Sequence, residues 1–104
     1  MTRDGKTLRQ LADDFKQRFP VHLKEVVIFG SQAREEASRE SDYDCLLVFD
    51  RVTPLMKTEL DQLAGQYLLQ RGMVLSCIPL SESDLQRLRF EPFLINARRE
   101  GISL

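Results

Sequence analysis

The sequence predicts a small mixed α/β (α+β) fold, a β-sheet with helices packed on it, and three observations predict it. Two apolar runs, Leu23–Phe29 and residues 43–49, are rich in Val, Ile and Leu and have the length of buried strands. Between the second run and a third, residues 73–78, lies a long segment whose apolar residues recur at helical spacing. That strand-helix-strand order calls for two parallel strands joined by a right-handed crossover. By contrast, only twelve residues separate Phe29 from Asp42, and a short helix takes part of them. The second strand should therefore start near the end of the first and run antiparallel to it, which makes the sheet mixed.

Each element has its own signal. Leu8, Leu11, Ala12, Phe15 and Phe19 recur at helical spacing and predict an amphipathic helix over residues 7–18 that Pro20 ends. His22 follows in a connection, where a lone histidine reads as a surface or capping residue, with no partner at ligand spacing. Leu23–Phe29 reads as a central strand, Gly30-Ser31 as its exit turn, residues 32–36 as a short helix and residues 37–41 as polar loop. Thr53-Pro54 is a helix start, since threonine caps free N–H groups and proline at the first helical position loses no bond. Met56, Leu60, Leu63, Ala64, Tyr67 and Leu68 should form the buried face of that helix, and Gly72 its C-terminal cap. Residues 73–78 read as the third strand, ended by Pro79. Ser81 and Ser83 can cap a short helix reaching Leu88, Glu91-Pro92 opens another that runs to Glu100, and residues 102–104 read as a short edge strand.

Length and composition set limits on function. With 104 residues, 42% hydrophobic and 30% charged, a single domain over residues 1–104 is expected. No apolar run nears the roughly 20 residues that span a bilayer. The start, Met-Thr-Arg-Asp-Gly-Lys, leads into an amphipathic segment and not the apolar core of a signal peptide, so a cytoplasmic protein with no membrane partner is expected. A formal charge of −1 argues against tight non-specific nucleic-acid binding, and Arg87, Arg89, Arg98 and Arg99 read better as a solvated helix face. Cys45 and Cys77 fall inside apolar runs and read as packing residues; two cysteines and one histidine make no zinc pattern.

The stretch 29–44 holds the chemistry. A glycine at a strand end, followed by serine and a helix start, brings backbone N–H groups close to an anion, so Gly30 and Ser31 can cradle phosphate. Asp42 and Asp44 flank one residue, so on extended backbone both carboxylates point to one face, about 7 Å apart at their Cα atoms. Magnesium is commonly held by one or two carboxylates plus the phosphates of its substrate. Together the halves describe a metal-nucleotide site.

Gly30-Ser31, ten further residues, then Asp42-Tyr43-Asp44 and the apolar Cys45-Leu46-Leu47-Val48 resemble the signature of the DNA polymerase beta-type nucleotidyltransferase superfamily. The short length and the ending Pro92-Phe93-Leu94-Ile95-Asn96-Ala97-Arg98-Arg99-Glu100-Gly101-Ile102 resemble its minimal nucleotidyltransferase branch. The resemblance implies the nucleotidyltransferase fold and Mg²⁺-dependent transfer of a nucleoside monophosphate, AMP foremost, from an NTP to an acceptor. It implies Gly30 and Ser31 as triphosphate-binding residues, with Asp42 and Asp44 as catalytic metal ligands, in a two-metal site if both positions fill. Arg34 matches a basic position of the branch and could touch phosphate, or pair with Glu35 or Glu36. Members of the branch are often antitoxins beside a HEPN-type ribonuclease toxin, so a HEPN-domain protein is the partner the resemblance implies. The small size points the same way, because an acceptor that brings its own surface suits a chain with little left to enclose one.

Two positions depart from that pattern. Glu35 stands where the branch often has glycine, and Ser76 stands where active members of the superfamily carry a third carboxylate on the neighbouring strand. Glu100 or an acid from a partner could take that place. Ser76 is also the feature that favours the other reading, a catalytically impaired binding module that neutralises a partner by complex formation.

Overall fold

The computed structural model describes residues 5–29 and 42–104, with backbone alone at positions 5 and 42. The elements run α1 (Gly5–Arg18), β1 (Leu23–Phe29), β2 (Asp42–Phe49), α2 (Pro54–Arg71), β3 (Val74–Ser81), α3 (Glu82–Arg87), α4 (Pro92–Glu100) and β4 (Ile102–Ser103). The sheet order is β3-β2-β1-β4, with β1 antiparallel to β2 and β4 and β2 parallel to β3. The sheet is mixed, as the connection lengths require.

Helices cover both faces because the central strands are apolar at successive positions, not only at alternate ones. Val26, Ile28, Tyr43, Cys45, Leu47 and Phe49 pack with Leu11 and Phe15 of α1 and with Leu60, Leu63 and Tyr67 of α2. On the other face Val27, Leu46 and Val48 meet Leu94 and Ala97 of α4, with Leu85 of α3 partly buried beside them. Gly101 joins α4 to β4 where a Cβ would stand 2.3 Å from the Ala97 carbonyl oxygen and 2.4 Å from Val27 Cγ1. A side chain there would push the helix off the sheet.

The caps follow the sequence. The Met56 N–H donates to Thr53 Oγ1 at 3.2 Å, and Pro54 opens α2. Gly72 ends it in the left-handed conformation at φ 66°, where glycine bears no Cβ penalty. Ser81 caps α3, the Asp84 N–H donating to Ser81 Oγ at 3.0 Å.

Two expectations need correction. The third strand does not stop before Pro79 but continues to Ser81, with Pro79 opposite Leu47. As β3 is an edge strand, proline's missing donor can face the open side without costing a ladder bond. Leu68 is not on the buried face of α2 but 53% exposed. The buried stripe is Met56, Leu60, Leu63 and Tyr67, and the next residue after Tyr67 is turned about 100° off that line.

His22 occupies a surface position, as expected, but with a partner: its Nδ1 lies 3.0 Å from each oxygen of the Asp50 carboxylate. The histidine hydrogen bond holds the Asp50 carboxyl below its ordinary range. Three of the four grouped arginines are engaged on the protein itself. Arg98 donates to both Glu25 carboxylate oxygens at 2.7 and 3.2 Å, Arg87 to Asp84 at 2.6 Å, and Arg89 to the Gln86 carbonyl at 2.6 Å. No helix among the described residues is long and apolar enough to cross a membrane.

A polar groove of about 500 Å³ runs between α1 and α2, lined by Gln10, Asp14, Gln66, Tyr67 and Arg71 among others. In it the Tyr67 hydroxyl donates to the Asp14 carboxylate, and Arg71 lies 5.2 Å over the Tyr67 ring. Burial first, then the Asp14 hydrogen bond and charge, raise the phenol's ionisation well above its ordinary value. The fold favours the neutral phenol, so this contribution is complete below about pH 10 and is lost as pH climbs towards the folded-state value. Tyr67→Phe should cost about 1–2 kcal/mol at neutral pH and flatten the alkaline decline of the melting temperature. Thermal melts from pH 7 upward check both.

Candidate active site

The site is built at the end of the sheet where β1 finishes and β2 begins. Asp44 sits between its two neighbours in register, Phe29 on β1 and Ser76 on β3. Position 42 opens β2 opposite Val74, two residues before Asp44 and so on the same strand face. Strand alternation puts Asp44 with Leu46 and Val48, on the side of the sheet that α3 and α4 cover. Asp44 is half-buried while Tyr43 and Cys45 on either side are buried against α1 and α2. The strand therefore anchors Tyr43 and Cys45 in one core and presents Asp44 at the rim of the other face.

Of the five residues singled out by sequence, Asp44 is described in full and Asp42 by its backbone. Gly30, Ser31 and Arg34, like the helix expected at residues 32–36, lie outside the described residues. Phe29, which directly precedes Gly30 in the chain, is the β1 partner of Asp44. Ser76 holds the β3 position beside Asp44, as its match to the third-carboxylate position requires, and it is exposed. Phe29 and Val74 complete the flanks of the acidic pair. Strand alternation alone could not name them, because it fixes faces but not register.

His22 is excluded from this chemistry by distance. It precedes β1 at the opposite end of the sheet, seven residues of extended chain from Phe29, or roughly 23 Å. Among the described residues no group of three or more His, Cys, Asp or Glu stands together as a metal centre. What the strands offer is a shorter set: the Asp44 carboxylate, the strand position of Asp42, and the Ser76 hydroxyl. The two acidic positions of that set fit magnesium, which takes one or two carboxylates and completes its shell with phosphate and water.

One residue beyond Asp44 and Ser76 the two cysteines face each other, Cys45 opposite Cys77. Both are free thiols, as the sequence suggests. The neighbouring Cys77 thiol and then burial hold the Cys45 thiol protonated well above its ordinary range, while the neighbouring Cys45 lowers Cys77; Cys45 Sγ donates to the Tyr43 carbonyl at 3.9 Å.

The chain is similar to known proteins over nearly its full length. Residues 8–97 match the nucleotidyltransferase domain family. The chain belongs to that family. A protein of Methanocaldococcus jannaschii, provisionally named a protein adenylyltransferase, is 29% identical over 102 residues, 94% of either chain. The crystal structure of a provisionally assigned nucleotidyltransferase from Sulfolobus solfataricus superposes with a TM-score of 0.51 at 25% identity, over 94% of this chain and 76% of that one. A mutant of the toxin-antitoxin pair MntA-HpeT superposes with a TM-score of 0.58 at 15% identity, over 92% of this chain and 70% of that one. At that identity the likeness is one of fold. The nucleotidyltransferase domain thus carries its acidic pair on the second strand of a four-stranded mixed sheet.

Proposed function

We propose that this nucleotidyltransferase domain, a single domain over residues 1–104, transfers a nucleoside monophosphate, AMP foremost, from an NTP to a protein partner. The observation that carries the proposal is the register of Asp44, between the β1 residue that leads into Gly30-Ser31 and Ser76 of β3. That register brings the acidic pair and the start of the Gly-Ser connection to one end of the sheet.

Gly30, Ser31 and Arg34 would hold the triphosphate, and Asp42 and Asp44 would hold Mg²⁺. When bound, the metal supplies charge neutralisation at the phosphates and lowers the pKa of an attacking hydroxyl. The residues' own part would be to hold the triphosphate and fix its α-phosphate at the strand end. The partner would supply the acceptor hydroxyl, because an acceptor that brings its own binding surface suits a chain of 104 residues. The name of the M. jannaschii relative supports a protein acceptor, and the toxin-antitoxin neighbour an antitoxin setting; a HEPN-domain toxin as the partner and the cytoplasm as the compartment are what the sequence resemblance and composition imply.

Calorimetric titration with ATP and Mg²⁺ tests the site. One binding event that disappears when Mg²⁺ is chelated is expected, and no heat of ATP binding at any Mg²⁺ level overturns the reading.

The second reading, a module that kept the fold and neutralises its partner by binding alone, rests on Ser76. A hydroxyl is a poor metal ligand and a poor base beside a carboxylate. Ser76→Asp, placed next to Asp44 by the register, separates the two readings. If the third acid is what the site lacks, transfer to the partner should rise at least about tenfold. Transfer that falls with this substitution would show that the acid comes from elsewhere.

A further inference from the structure

We propose that Cys45 and Cys77 form a reversible dithiol-disulfide pair linking β2 to β3, a site of oxidative modification one residue beyond Asp44 and Ser76. Core packing, the role their sequence context suggests, holds for both, and the register adds that the two thiols face each other across neighbouring strands.

The two are direct partners in the parallel register. Neighbouring strands lie about 4.8 Å apart, which is inside the roughly 4.4–6.8 Å range of Cα separations that a disulfide spans. Both side chains are on the α1–α2 face: Cys45 belongs to that core and Cys77 packs against it. Their access differs. Cys45 is fully buried, whereas Cys77 is half-buried and lines an opening of about 300 Å³ with Lys57, Leu60, Asp61 and Pro79. An oxidant entering there meets Cys77 first, and Cys45 stands behind it as the resolving thiol.

The oxidant is a hydroperoxide. The Cys77 sulfur, having given up its proton, attacks the distal oxygen; the O–O bond breaks, the leaving alkoxide or hydroxide takes a proton, and Cys77 becomes a sulfenic acid. The Cys45 sulfur then attacks the Cys77 sulfur, the S–O bond breaks, and hydroxide leaves as water with the Cys45 proton. Two thiols have lost two electrons and two protons, and the peroxide has taken them. A small dithiol returns both cysteines to the thiol form.

The full chain is treated with hydrogen peroxide, blocked with an alkylating agent and mapped by mass spectrometry. The expected product is an intramolecular Cys45–Cys77 peptide, lighter by two hydrogens and reversed by dithiothreitol. In Cys45→Ala the resolving thiol is gone, so dimedone labelling of Cys77 should rise at least about tenfold over wild type. Wild-type chains in which Cys77 accumulates dimedone adduct or sulfinic acid while Cys45 stays alkylatable would overturn the proposal. So would a disulfide that joins two chains through Cys77.

Discussion

Asn at both Asp42 and Asp44 is expected to reduce labelling of the protein partner by ATP at least about a thousandfold, since metal charge stabilisation is worth several kcal/mol and each 1.4 kcal/mol is tenfold. The substitution keeps side-chain volume, and Asp44 is only half-buried at the strand end, so melting temperature should move little. Labelling that survives in the folded double variant would remove both aspartates from the reaction. Partner binding that survives without labelling would show that the acids serve chemistry and not assembly.

Phe49→Ala should produce the largest loss of stability. Phe49 is completely buried at the end of β2, opposite Leu23 of β1 and Ser81 of β3, and meets the Phe19 ring edge-on at 5.1 Å between centroids. Emptying such a site costs about 3–5 kcal/mol. In a chain of this length each kcal/mol shifts the melting temperature by roughly 4–8 °C, so a drop of more than about 12 °C is expected. Phe49→Leu, which refills most of the space, should fall between wild type and alanine. Equal melting temperatures for all three would contradict the account of the α1–α2 core.

Most of the fold was legible because its signals are local. The apolar run Leu23–Phe29 is the β1 strand at both ends, and Thr53, Gly72, Ser81 and Gly101 stand at the helix boundaries their chemistry predicts. The antiparallel first pair followed from a connection too short for a crossover. What escaped is what depends on neighbours distant in sequence. Pro79 ends a strand only if both edges are paired, and nothing local reveals that β3 lies at the edge of the sheet among the described strands. Leu68 has the residue type of a core position but the wrong angle on the helix. The His22–Asp50 contact joins residues 28 apart, and no spacing rule reaches that far.

The site divides in the same way. The two-residue spacing of Asp42 and Asp44 names a strand face from sequence alone, and the parallel register then sets Ser76 beside Asp44, where the missing acid was expected.

The central claim is tested most directly by intact-mass spectrometry of the protein encoded beside this one, after incubation with this nucleotidyltransferase domain, ATP and Mg²⁺. The account predicts that the partner gains the mass of one or more adenylyl groups, and that chelating Mg²⁺ prevents the gain. A partner that binds tightly yet keeps its unmodified mass would contradict it.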